Sequence, residues 1–203
     1  MKRAGVWLVG LGLVAVLVSL FRVYRIGGTS MNYGLVERDI VIATTRIGSI
    51  RRGDLVVIRH PDDPKQRLYI KRCVALAGDR YQIKDRLFYL QIEHNTTRTA
   101  EMARRFGLRA VMTPEGLYLK EPMRSYYGIV HNPDLTLPKA MTDHLPETIP
   151  EGHFYTMGDY RDNSADSRIY GAVPRSWIIA RIIAILKWPR SWEELITIKE
   201  VDE

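Results

Sequence analysis

Cysteine is almost missing from this chain: Cys73 is the only one in 203 residues. No internal disulfide can form, and no C-x-x-C redox pair or cysteine-based zinc site can be assembled. Cys73 lies in an apolar run and reads as a small buried hydrophobe. The five histidines stand apart at positions 60, 94, 131, 144 and 153, without the H-E-x-x-H spacing of a zinc peptidase. A Walker A loop and a G-x-G-x-x-G turn are also lacking, which removes the usual phosphate cradles. "DYRDNSADSRIYG" alternates Asp162, Ser164 and Asp166 as a calcium loop would, but Ser167 and Val173 occupy the places of its glycine and its glutamate. The expectation is a protein with no metal and no cofactor. Nucleic acid is excluded on similar grounds. The net charge is +7, yet the basic residues are scattered singly and in pairs, and no helix-turn-helix, zinc-finger or stacking-platform pattern accompanies them. Internal repeats and low-complexity tracts are absent as well.

What the chain does have begins at its N-terminus. "MKR" precedes an uncharged run from Ala4 to Phe21, "AGVWLVGLGLVAVLVSLF". At ~1.5 Å per residue this run reaches roughly 27 Å, enough to span a thin bilayer. A cleaved leader would need a small-x-small site after the apolar core; the run ends instead in the bulky "VSLFRVYR". The expectation is therefore one retained N-terminal transmembrane helix, an anchor over residues 1–25, followed by a domain over 26–203. Lys2 and Arg3 favour an inside N-terminus while Arg22 and Arg25 oppose it, so charge alone leaves orientation open.

Beyond the anchor, "VYRIGGTSMNYG" reads as a glycine-containing loop and "LVERDIVIATTR" as a strand. "RRGDLVVIRHPDDPKQRLYIKRCVALAGDRYQI" reads as strand, loop, strand, turn, strand. Enrichment in Val, Ile and Tyr with short spacing argues for antiparallel β structure. Residues 93–150 are more polar, with scattered proline and one short helix at "RTAEMARRFGL", and read as an inserted subdomain. Strand character returns at "HFYTMGD" and "SWIIARIIAILKW", and the tail "SWEELITIKEVDE" is amphipathic.

The segment Leu68–Asp79, "LYIKRCVALAGD", places two adjacent cations in an apolar strand. Strand side chains alternate faces, so burying either face buries Lys71 or Arg72. The bland reading is a lysine guarding a strand edge or snorkelling its stem. The functional reading is that desolvation lowers the amine pKa until neutral Lys71 can take a proton from a hydroxyl. Two other stretches favour the second reading. "GGTSMNYG" sets Ser30 just after two glycines, where backbone N–H groups can approach a substrate carbonyl. "MGDYRDNSADSRIYGAVP" concentrates Asp, Asn, Ser and Arg between strands; it is either a solvated turn with local hydrogen bonds or a buried polar brace for the amine.

"TSM", then "RRGDLVVIRHPDDPKQRLYIKRCVALAGD", then "GDYRDNSADSRIYGAVP" resemble, in order, the signature boxes of type I signal peptidases, which use a Ser/Lys dyad. The matches follow an N-terminal apolar segment and cover about a third of the chain. The resemblance implies Ser30 as nucleophile and Lys71 as general base. It implies Ser164 as the hydroxyl that holds the Lys71 amine, and Asp166 with Arg168 as a supporting ion pair. It further implies a mainly β fold of two antiparallel sheets with an inserted variable subdomain, small-residue pockets near Met31, and a single-pass location in the bacterial cytoplasmic membrane with the catalytic domain outside. The implied partners are exported preproteins carrying signal peptides, and membrane lipid. Departures from the family pattern are Asn32, Tyr33 and Gly34, where a Pro-Thr pair usually follows Ser-Met and one further residue, Gly28, where many members carry a serine, and Tyr160, where Asn is usual. "SMNYGL" is also similar to the Ser-x-Pro-x-Gly-Leu pattern of peptidases that mature conjugative pilins, with Asn32 in place of the proline. A dedicated peptidase of the same mechanism, and a membrane-anchored binding domain without catalysis, stand as alternatives to a general signal peptidase.

Overall fold

The computed structural model describes residues 19–32, 34–123, 132 and 134–187. The greater part of the expected membrane anchor, residues 1–18, lies outside the described residues, as does the tail from 188. Among the described residues no helix is long and apolar enough to cross a membrane.

Two antiparallel sheets make up the fold, as the resemblance implies. The first has seven strands. In spatial order they are Phe21–Arg25 (β1), Ile40–Thr44 (β2), Ile178–Leu186 (β12), Leu55–Arg59 (β3), Leu68–Leu76 (β4), His153–Met157 (β10) and Val173–Pro174 (β11). The second has five: Ala110–Thr113 (β7), Gly116–Lys120 (β8), Leu87–Gln91 (β6), Arg80–Lys84 (β5) and His144–Thr148 (β9). A helix over Thr96–Phe106 (α1) is capped by the Asn95 side chain at its start and by left-handed Gly107 at its end, the usual chemistry at both termini.

Two boundaries differ from the sequence reading. Residues 21–25, grouped there with the anchor and the following loop, form β1 and pair with β2 from Phe21↔Thr44 to Arg25↔Ile40. Residues 93–150, read there as an inserted subdomain, supply β7, β8 and β9 to a sheet that the β5–β6 hairpin begins. The physical reason is the same for both: pairing partners far away in sequence decide whether a short strand forms.

A core of Val74, Ala75, Tyr81, Phe88, Leu90, Leu119 and Tyr155 joins the second sheet to β4 and β10. A separate core under β1, β2, β3 and β12 receives Met31 and Leu35 from the loop after β1. Met31 and Leu35 thus plug that loop into the sheet, and the residue before Met31 is held at the surface of a buried apolar cluster.

Candidate active site

The loop after β1 is shaped by short-range hydrogen bonds. Asn32 N–H donates to Thr29 O at 2.9 Å, and Gly34 and Leu35 N–H both donate to Met31 O at 3.1 and 2.8 Å. Ser30 sits within this turn. Its own N–H makes no hydrogen bond among the described residues, so that donor is free for an incoming oxygen. Its carbonyl is occupied, accepting from Tyr160 N–H at 3.0 Å. Asn163 Nδ2 donates to Thr29 Oγ1 at 2.8 Å. The 158–168 loop therefore grips the serine turn at two points.

Strand β4 carries both cations into the interior. Lys71 is 2% exposed and Arg72 is 5% exposed. Lys71 Nζ donates to Ser30 Oγ at 2.7 Å. Burial lowers the Lys71 pKa from 10.5 to about 8; Asp166 and Asp159 pull it upward and Arg168 downward, but desolvation is the largest influence. Arg72 is neutralised instead. Its Nε and Nη2 donate to the two oxygens of Asp159 at 2.8 and 2.6 Å, and Nη1 donates to Gly53 O at 2.7 Å. The strand thus treats its two cations differently: one has a bidentate carboxylate, and the other has only a hydroxyl.

Asp166 and Arg168 form a fully buried pair, with Arg168 Nε 2.8 Å from Asp166 Oδ1 and Nη2 2.9 Å from Oδ2. Burial alone would raise the Asp166 pKa. The Arg168 charge and hydrogen bonds, the Gly158 N–H at 3.0 Å and the Lys71 charge outweigh it, and the carboxyl lies below its ordinary range. Ser164 is placed beside the dyad. A Cβ at Gly158 would fall 2.3 Å from Ser164 Oγ and 2.5 Å from Ser30 O, so only glycine allows Ser164 and the serine turn to approach the backbone here. Ser164 Oγ is buried and makes no hydrogen bond among the described residues, with Lys71 or any other group. The contact that the sequence resemblance expects between Ser164 and the amine is not formed here.

A cleft of about 540 Å³ opens at the dyad. One wall is the stretch Tyr24–Met31 and the other is Arg67–Lys71. On the far side of β4 from β3, β10 pairs only with Arg72–Leu76, so the Leu68–Lys71 edge facing the cleft carries no strand among the described residues. Met31 is buried and lines the cleft with Val57 and Ile70.

Comparison with known proteins identifies the family. The family described as signal peptidase, peptidase S26, matches residues 2–188. This chain belongs to that family. Signal peptidase I of Pseudomonas fluorescens is 33% identical over 180 residues, which cover 78% of this chain and 57% of the relative. Signal peptidase I of Bacillus licheniformis is 33% identical over 152 residues, 73% of this chain and 67% of the relative. A crystal structure of a signal peptidase I from Enterococcus faecalis V583 aligns with a TM-score of 0.42 at 18% identity, covering 68% of this chain and 99% of that one. The chain thus spans a little over half the length of its Pseudomonas relative.

Within this S26 chain, sequence reasoning missed Asp159 and Glu121. Asp159 had a readable signal: β4 carries an arginine that needs an anion, and the loop 158–168 holds three aspartates, Asp159, Asp162 and Asp166, against two arginines, Arg161 and Arg168. The partner of Arg161 had none. Arg161 Nη1 lies 3.0 and 2.9 Å from the two Glu121 oxygens, a pairing across the two sheets with no local pattern. The Gly34 departure also has a structural cause. A Cβ there would lie 2.7 Å from Asp159 Oδ2, so the residue is set by packing against the Arg72–Asp159 pair.

Proposed function

We propose that this chain is a membrane-anchored serine endopeptidase that removes signal peptides from exported preproteins, with its catalytic domain on the outer side of the bacterial cytoplasmic membrane. The observation that carries this reading is the 2.7 Å contact between Ser30 Oγ and a lysine amine that burial holds near neutrality. A serine hydroxyl is a weak nucleophile unless a neighbouring base takes its proton. An amine with a pKa near 8 is partly unprotonated at physiological pH, which an exposed lysine is not.

The substrate residues before the scissile bond lie extended along the free Leu68–Lys71 edge, adding a strand to β4. Small side chains suit the floor of Met31, Val57 and Ile70. Ser30 Oγ attacks the carbonyl carbon as its proton passes to Lys71 Nζ. The resulting oxyanion meets the unoccupied Ser30 N–H, a donor aimed where charge develops. Lys71 then delivers the proton to the leaving amine as the C–N bond breaks. In the acyl-enzyme Ser30 Oγ is an ester oxygen, a poorer partner for the amine. The unpaired Ser164 hydroxyl supplies a replacement and holds Lys71 in place while it takes a proton from water, whose attack releases Ser30. Asp166 and Arg168 keep Ser164 and Gly158 in position.

The test is direct. The full chain in detergent is incubated with a preprotein, and the N-terminus of the product is sequenced. Cleavage after the signal peptide by the parent, and none by Ser30→Ala or Lys71→Ala, is the expected result. Turnover by either variant would remove the dyad. Cleavage confined to one or two of a panel of preproteins, pilin precursors among them, would make the enzyme a dedicated peptidase.

A further inference from the structure

The 158–168 loop carries Ser164, Asp166 and Arg168 beside the dyad, and it is attached on two sides: Asp159 is held by Arg72 of the first sheet, and Arg161 reaches a carboxylate outside that sheet. Glu121 directly follows β8, which lies between β7 and β6 in the second sheet. Both its carboxylate oxygens accept from Arg161 Nη1, and Oε1 also accepts from Phe88 N–H at 2.6 Å. The pair is almost completely buried, at 1% and 4% side-chain exposure. Arg161 in turn donates from Nε to Gly158 O at 3.2 Å. Its own carbonyl accepts from Arg168 Nη2. The neighbouring Tyr160 N–H holds Ser30 O. One residue further, Asp162 accepts from Asn132 N–H, so a second residue of the 93–150 region is tied to the same loop.

We propose that Glu121 is a positioning residue for the peptidase reaction: through Arg161 it holds the 158–168 loop, with Ser164 and Asp166, against Ser30 and Lys71. The inference rests on the proteolytic reading above and adds to it a role for the second sheet. Two observations separate it from simple cohesion between sheets. A buried ion pair contributes little net stability compared with apolar residues of the same size, because desolvation offsets the attraction; what it supplies is a defined geometry. Glu121 also adopts φ 46°, a left-handed conformation that is uncommon and strained for a residue with a side chain. A strained backbone and a buried charge are both tolerated at this one position, where the carboxylate reaches the catalytic loop.

The groups acting on Lys71 are Asp166, Asp159 and Arg168, together with burial itself. Loosening the loop admits water and moves those charges together. Because burial is the largest influence, the amine pKa should climb from about 8 toward 10.5. The substrate edge at Leu68–Lys71 and the floor at Met31 belong to other elements and stay intact.

The experiment compares parent, Glu121→Gln, the double variant Glu121→Met/Arg161→Met, and Arg52→Met as a control in a different ion pair, the partly buried Arg52–Asp79. Each full-length protein is assayed on a preprotein across pH. In parallel, the pH midpoint of Lys71 acylation by acetic anhydride is read by mass spectrometry, which needs no proteolysis. Glu121→Gln should lower kcat on the order of 10- to 100-fold, as small misplacements do, with KM nearly unchanged and the labelling midpoint raised. The double variant should regain stability but not kcat. Arg52→Met should lose stability with its midpoint and kcat unmoved. A parent that cleaves nothing would sink the proteolytic reading, while the labelling midpoint would still decide the coupling. An unmoved midpoint in Glu121→Gln, recovery of kcat in the double variant, or loss of fold in Glu121→Gln would make Glu121 purely structural and overturn the proposal.

Discussion

Replacing Lys71 with methionine should abolish cleavage and make the protein more stable. Lys71 is protonated at pH 7 in the unfolded chain, where its pKa is 10.5, and folding carries it into a site where that value is about 8. A tenfold weakening of proton binding corresponds to about 1.4 kcal/mol, so the buried ammonium costs the fold about 3 kcal/mol at neutral pH. The sign follows from proton counting. Between the two pKa values the unfolded chain binds more protons than the folded one, so stability rises with pH. The cost is complete below about pH 8 and is relieved as pH climbs to 10.5. Methionine has a similar shape and no charge. Its introduction removes the cost but also the hydrogen bond to Ser30, worth about 1 kcal/mol. The net gain at pH 7 should be about 2 kcal/mol, shrinking by about 1 kcal/mol at pH 9 as the parent's amine loses its proton. Urea unfolding of parent and variant at both pH values measures this, and other titrating groups cancel in the difference. A variant no more stable than the parent at pH 7, or a gain that does not shrink by pH 9, would refute the desolvated base.

Cleavage rate should rise with pH through a midpoint near 8, the Lys71 value; a rate climbing only near the ordinary lysine value would contradict the mechanism. Gly158→Ala should inactivate the enzyme, since its Cβ would meet Ser164 Oγ at 2.3 Å and Ser30 O at 2.5 Å; circular dichroism would show the fold kept, and full activity would mean the loop is not closely packed against the serine turn. Asp159→Asn should lower stability by about 3 kcal/mol by leaving Arg72 buried without its counter-charge, measured by urea unfolding at pH 7. Protein lacking residues 1–18 should still bind anionic vesicles, and Val23→Asp with Leu186→Asp should abolish that binding while peptide cleavage continues; unchanged flotation with vesicles would show that this face does not meet lipid.

The dyad was legible because its chemistry is local in pattern. A lysine within an apolar strand is conspicuous, and the serine follows a pair of glycines. Strands β3, β4, β5, β10 and β12 were readable from β-branched runs bounded by turn residues, as was α1 from its polar start and basic end. What was not legible depended on distant partners. "FRVYR" continues an apolar run, and only pairing with Ile40–Thr44 makes it β1. Similarly, nothing within residues 93–150 indicates that β8 will pair with β6 or β9 with β5. The two cations of β4 share one sequence environment, yet Arg72 is neutralised by Asp159 and Lys71 is not. That difference follows from which face the 158–168 loop approaches with a carboxylate, and it is a property of the folded chain alone.

The recruitment of β1 into the sheet alters the link between the N-terminal apolar run and the nucleophile. Read as a loop, "VYRIGGTSMNYG" (residues 23–34) makes the stretch before Ser30 a loose tether whose length limits how far Ser30 can travel. As built, Phe21–Arg25 is hydrogen-bonded along its length to β2, and Ile26 is pinned on both sides, donating to Asp39 O at 2.8 Å and accepting from Arg38 N–H at 3.0 Å. Ser30 is then a fixed distance from the sheet edge. Residues directly opposite in a sheet share a face. Val23 lies opposite Ile42, Ile42 opposite Ala184, and Ile40 opposite both Leu186 and Arg25, so a mainly apolar surface with Arg25 on it runs across β1, β2 and β12, with Val23 67% and Leu186 53% exposed. In the reading proposed above, that surface and the apolar run meet the same bilayer, and the sheet between them holds the nucleophile at one depth. A substrate anchored in that bilayer by its own apolar segment presents its cleavage site at a fixed depth too, so two rigid placements raise the effective concentration of the scissile bond where a flexible tether would dilute it.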